Sequence, residues 1–437
     1  MFNKELIRNN KKMMAFLFIF MILIYIRDAR VFEIPNYIYV LSVFFMLPFF
    51  NKEQLIGLGI CMCFFVNAFQ TNLILLGIII VLVVKNLSEI HFNTRFILLV
   101  MIGIWELFHF VYSPFSFEEY RRFIIIILFL AICDCLIIED YRLILDMFLL
   151  VGAFAMFDIL AQYFYYAGNN IMAIINYKYR FGNIAMINNE VINRVYDNEN
   201  YIAYFCLLGV LTSMLIKRET AENKYIGFAA YFGFIGFLTR SKAFFICVGF
   251  IILWVIITFS VSRITQTTKS HIISWTISMG VMLFVLIYKK NDIIEVINNV
   301  LIRFQTTNLT TGRNEVFADY FRFWTSNPLY ILFGIGTQSV DIKSSNVHTM
   351  HNMFEELFVC IGIIGVIIFV IYVYMEYKSI TKKSGRLDSY KIMSVVTAML
   401  FLSSIQYLRS PQIFITTLLI IYILSYKLKR QDYTTIS

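Results

Sequence analysis

Apolar runs long enough, or nearly long enough, to cross a bilayer recur from residue 13 to residue 426. No other feature limits the fold so strongly. A crossing helix needs about 20 mostly apolar residues, with a range near 17 to 25. The runs fall at 13–26, 34–50, 54–69, 72–84, 96–112, 123–138, 143–166, 201–216, 225–239, 242–259, 272–288, 352–375, 390–408 and 411–426. Several are short, so about 12 to 14 transmembrane helices are expected. Composition agrees: 59% of the 437 residues are hydrophobic and only 15% charged. Soluble domains are about a quarter charged. The expected fold is an all-α polytopic integral membrane protein forming one domain over 1–437.

The formal net charge of +9 would suit nucleic acid in a soluble chain. Here most basic residues lie between apolar runs, where they set orientation and meet lipid headgroups, so no nucleic-acid partner is expected. Placing both termini in the cytoplasm puts Lys4, Arg8, Lys52, Lys85, Arg95, Arg142, Lys217, Arg218, Lys224, Lys391 and most of their kind inside. Two long loops then face outward, 167–200 and 289–351, and long ordered loops are where binding and chemistry usually sit. The seven cysteines, Cys61, Cys63, Cys133, Cys135, Cys206, Cys247 and Cys360, lie in apolar runs. Residues i and i+2 of a helix do not share a face, so the two C-x-C pairs predict neither disulfide nor zinc site.

Orientation leaves some charges unexplained. On the outer side stand Lys178, Arg180 and Arg194, then Arg240 and Lys242 in a short turn, then Arg303, Arg313, Arg322 and Arg409. Arginine offers a planar fork of donors that matches phosphate oxygens in pairs. It also snorkels to headgroups from the bilayer edge, and for any one of these residues both readings stand. Glu106 and His109 share a helix face within a run and form either a structural pair or a functional one. Asp158 is intramembrane too, and Asp134, between two cysteines, reads as structural.

In the second loop, 291–304 and 314–324 carry apolar stripes of helical period, the latter through Val316, Phe317, Tyr320, Phe321 and Trp324. Both predict amphipathic helices. Asn327-Pro328 predicts a helix end. Gly334-Ile335-Gly336 permits a sharp turn or a close backbone approach. Where the chain re-enters the membrane stand His348, His351, Asn352, Glu355 and Glu356. Histidine is the side chain best suited to take a proton near neutral pH; here it either does so or bonds nearby backbone.

This segment resembles the O-antigen ligase and polymerase (Wzy-type) superfamily. The resemblance rests on His351-Asn352, nine residues, then Gly362-Ile363-Ile364-Gly365, preceded by Gly312-Arg313, Trp324, Pro328 and Gly334-x-Gly336. Leu238-Thr239-Arg240-Ser241-Lys242-Ala243 is similar to the family's short Ser-Arg turn, although Arg precedes Ser, so Arg240 and Lys242 compete for one role. The resemblance covers about 180 to 365 and implies a GT-C-like helical fold in a bacterial cytoplasmic (inner) membrane. It implies a metal-independent, cofactor-free inverting glycosyltransferase acting on undecaprenyl-pyrophosphate-linked oligosaccharide. His351 would activate the acceptor hydroxyl, and Arg240, Arg313 and Lys242 would hold the pyrophosphate. Arg180, Arg194, Arg322, His348, Glu356 and Arg409 would be further substrate contacts. Membrane lipids and a chain-length regulator protein are the implied partners. Polymerisation of repeat units into O-antigen, capsule or exopolysaccharide is the leading expectation. A ligase is the alternative on the same motifs, and a lipid-linked oligosaccharide flippase is one from another class.

Overall fold

A computed structural model describes residues 11–28, 34–65, 70–112, 117–166, 186–187, 190–191, 199–263, 313–336, 352–384, 387–405, 407–408 and 410–426. Among these the protein is helical almost throughout, apart from a two-residue antiparallel pair, Met186–Ile187 with Glu190–Val191. The helices are α1 (Lys11–Asp28), α2 (Asn36–Met46), α3 (Lys52–Cys61), α4 (Thr71–Lys85), α5 (Thr94–Tyr112), α6 (Phe117–Cys135) and α7 (Tyr141–Tyr166). After the strand pair come α8 (Glu199–Thr220), α9 (Lys224–Leu238) and α10 (Lys242–Arg263). They are followed by α11 (Arg313–Thr325), α12 (Pro328–Phe333), α13 (Met353–Ser384), α14 (Ser389–Leu402), α15 (Pro411–Phe414) and α16 (Thr416–Ser425). The expected span 272–288 and helix 291–304 lie outside the described residues.

Among the described residues, three helical stretches are long and apolar enough to cross a membrane: Tyr141–Gln162, Glu199–Thr220 and Met353–Lys382. Six shorter apolar helices accompany them. The run 54–69 departs from its expected form. It becomes the ten-residue α3 and a 3-10 turn, Met62–Phe65, and every residue from Glu53 to Phe65 is buried. Ten residues rise about 15 Å, half a hydrocarbon core, so α3 is an inner strut with protein on all sides. The run 390–408 likewise stops as a helix at Leu402, and its last residues are irregular.

Aromatic packing builds the core. Phe64 meets Phe148 at 5.1 Å and Phe205 at 5.2 Å between ring centroids, and Tyr204 carries the contact on to Phe401 at 5.4 Å. The most apolar stretch of α8 is 83% buried, against 50% for α13, so α8 is central and α13 peripheral. Around this core the outward surface is apolar too, with Phe45 73%, Val84 72% and Val370 58% exposed. An apolar girdle of this kind suits hydrocarbon better than water. All seven cysteines are buried and unbridged.

One end of the bundle is held by ion pairs. Arg95 bridges Asp134 (3.0 Å) and Glu376 (3.2 Å), tying α5, α6 and α13. Arg142 pairs with Glu222 and Asp146, Lys52 with Glu89, and Arg218 with Asp388. Lys391, read from sequence as an orientation charge, is buried; its ammonium donates to the carbonyls of Leu424 and Tyr426, both at 2.7 Å, and so closes the end of α16.

Candidate functional site at the opposite end

The other end gathers the start of α8, the turn between α9 and α10, the start of α13 and the irregular segment after α14. The turn is Thr239-Arg240-Ser241. Thr239 and Ser241 are fully buried, and Arg240 is left-handed, with φ +53°. A non-glycine residue is uncommon there and costs roughly 1–2 kcal/mol. The neighbours compel it: Arg240 N–H donates to Phe237 O at 3.1 Å, and Ser241 Oγ donates to Asn200 Oδ1 at 3.0 Å. Arg240 is half-buried, and desolvation holds its guanidinium below the usual arginine value. Lys242, also half-buried, opens α10 beside it.

From Asn200 the contacts run across the bundle end. Tyr201 Oη meets Ser410 Oγ at 2.5 Å. Ser410 closes the segment that contains Tyr407 and Leu408, whose backbone N–H groups donate to Glu356 Oε2 at 2.6 and 2.9 Å. Glu356 has zero exposure. Oε2 is thus bonded to backbone. Asn352, the second residue of the histidine motif, caps α13, accepting Phe354 N–H at 3.0 Å and donating to Glu355 at 3.0 Å.

Deeper on this side, α13 is broken. Gly362 has φ +64° and sits inside the helix. Gly334, with φ +87°, crosses it so closely that a Cβ there would lie 2.1 Å from Cys360 O. Breaking a helix orphans its last carbonyls. Here each one finds a partner: Ile335 N–H donates to Val359 O (2.9 Å), Gly336 N–H to Cys360 O (2.8 Å) and Trp105 Nε1–H to Ile361 O (3.0 Å). Trp105 Nε1–H is also 3.1 Å from Phe333 O, the end of α12. His109 Nε2 lies 2.7 Å from the same oxygen, while its Nδ1 faces Glu106 Oε2 at 3.0 Å. The expected close approach at Gly334-x-Gly336 and the Gly362-x-x-Gly365 motif are thus two halves of one joint.

The structure brings Arg240, Lys242 and Glu356 to one end of the bundle, with the residues flanking Arg409 and the residue following His351. Arg313 opens α11, which packs against α12 and α13. Arg322 turns away from this assembly: its side chain is 81% exposed, 3.8 Å from Asp319, because α11 directs Tyr320 inward instead. Phe321, on the apolar stripe of α11, is 43% exposed. Arg180, Arg194, His348, His351 and Arg409 lie outside the described residues. Trp105 and Ser410 carried no sequence signal. Glu106 and His109 did, as ionisable residues in an apolar run, but the carbonyl partner of His109 lies more than two hundred residues away along the chain.

The fold defines an all-α protein with helices able to cross a membrane and a polar assembly at one end. No protein-family model matches the chain, and no curated protein matches it either.

Proposed function

We propose that this protein is a membrane glycosyltransferase that polymerises lipid-pyrophosphate-linked oligosaccharide repeats on the outer face of a bacterial cytoplasmic membrane. Its fold would be GT-C-like and its termini cytoplasmic. The observation that carries the reading is the strained, half-buried Arg240. It is bonded through its turn to Asn200 and thence, through Tyr201 and Ser410, to the segment held by Glu356 just inside the histidine motif. Backbone strain of this kind persists where surrounding structure over-determines it, and it concentrates at functional sites.

The chemistry follows. An acceptor hydroxyl oxygen attacks the anomeric carbon of the donor sugar, and the bond from that carbon to the pyrophosphate oxygen breaks on the opposite face. The hydroxyl proton passes to His351, and the lipid pyrophosphate leaves with the electron pair. Arg240, Arg313 and Lys242 would neutralise that developing charge, and direct in-line attack inverts the anomeric centre.

Replacing His351 with Ala and following cell-surface glycan on a gel tests the reading. Loss of long chains, with single repeats still reaching the outer face, supports polymerisation. Loss of all surface glycan with long lipid-linked chains accumulating would mark a ligase. Loss of lipid-linked repeats from the outer face would mark a flippase, and an unchanged ladder would refute a catalytic His351.

A further inference from the structure

The joint at Gly362 gives two residues a role that the proposed reaction does not itself assign. We propose that Trp105 and His109 are positioning residues: from α5 they clamp the carbonyl ends of α12 and of the first half of α13, and so fix the short helix that carries Asn352 and Glu356 to the polar assembly. This rests on the transferase reading for its consequence, though not for its geometry.

Three observations converge. Phe333 O and Ile361 O both end a helix and both lie within 3.1 Å of one indole N–H. A carbonyl only accepts, so His109 Nε2 must carry the proton it shares with Phe333 O. Glu106, buried beside it on α5, then holds the ring through Nδ1. The Trp105 ring also stacks on Phe333 at 5.1 Å between centroids. Val359 and Cys360 depend on Ile335 and Gly336 for their carbonyl partners, so freeing Phe333 loosens that pairing as well. From Met353 to Ile361 the half-helix spans about 13 Å. A tilt at its base would therefore be carried to Glu356 and to the Tyr407–Leu408 backbone it holds.

The test uses the full chain in lipid nanodiscs. Trp105→Phe keeps an aromatic ring against Phe333 but removes the N–H together with part of the indole; His109→Ala removes the second donor; His109→Gln restores an amide N–H toward Phe333 O, so the two histidine variants isolate the hydrogen bond from packing. Backbone hydrogen exchange is followed in peptides covering 334–336, with 203–216 as control. Turnover is measured with a lipid-linked repeat unit. Trp105→Phe and His109→Ala should each speed exchange at 334–336 by roughly tenfold, the scale of one or two lost hydrogen bonds, and leave the control unchanged. Turnover should fall by a similar factor with KM unchanged, and His109→Gln should recover most of both. Unchanged exchange would overturn the clamp. Faster exchange with undiminished turnover would overturn the positioning role. A wild-type chain with no turnover would defeat the transferase reading, and the positioning role with it, while the exchange data still decide the clamp.

Discussion

The two ends of the bundle are held by different physics. At one end carboxylates meet guanidinium and ammonium groups: Arg95 with Asp134 and Glu376, Arg142 with Glu222 and Asp146, Arg218 with Asp388. At the other, Glu356 holds backbone N–H groups and Glu106 a histidine ring, while Arg240 occupies a strained turn. Pairing charges locks helices together and takes their fields out of play. On the proposed reading, the end that ties its acids to backbone and imidazole and holds Arg240 in a constrained turn would receive the pyrophosphate.

The sharpest break to that comparison is Arg95→Ala. It would strand Asp134 and Glu376, both largely buried, and should cost about 3–5 kcal/mol, read as a lower thermal midpoint in detergent. If the cost is small, the ion-paired end is not the structural one. Glu356→Ala comes next. Leaving the Tyr407 and Leu408 N–H groups without an acceptor should cost about 1–3 kcal/mol and loosen the segment around Ser410, seen as faster proteolysis there. Third, Arg240→Gly and Arg240→Ala should differ by about 1 kcal/mol in favour of glycine, because only glycine adopts φ +53° without strain. Both should lose transfer activity, so a variant more stable than its alanine counterpart would still be inactive. The smallest effect belongs to Asp388. Burial alone would raise its carboxyl, but the Lys391 N–H and the Arg218 guanidinium outweigh this and hold it below the ordinary value. Its stabilisation is therefore present above the unfolded pKa of about 3.9 and lost as pH falls through the lower folded value. Asp388→Asn should flatten that acid limb slightly in melts from pH 5 to pH 3, and by little, since the pair is half-exposed and screened by salt.

Much of this was legible in the residues. The hydropathy runs located most of the described helices, because long apolar segments must be buried or face lipid, although 54–69 became a short strut and 390–408 stops as a helix at Leu402. Gly334-x-Gly336 allowed a sharp turn or a close approach, and the backbone shows the close approach, at positive φ. What could not be read was partnership. Periodicity shows that Glu106 and His109 share a face, but not that the carbonyl of Phe333 arrives at that face. Arg95 looked like an orientation charge because a basic residue beside an apolar run looks the same whether it meets headgroups or a buried Glu376. The helix break at Gly362 was hidden because glycine is common in crossing helices, and only the opposing backbone makes this one indispensable. Nor could the residues show that Glu356 Oε2 would accept the backbone N–H groups of Tyr407 and Leu408, some fifty residues further along the chain.

The proposed transfer requires the Arg240 end to handle a lipid-linked pyrophosphate sugar. Its most direct test is polymer synthesis by the purified protein in nanodiscs from a synthetic lipid-linked repeat unit, comparing wild type with Arg240→Ala of matched thermal midpoint. Long chains are expected from the wild type and at least about a hundredfold less transfer from the variant, the scale of losing one charge-stabilising group. Equal chain lengths and rates from the two proteins would contradict it.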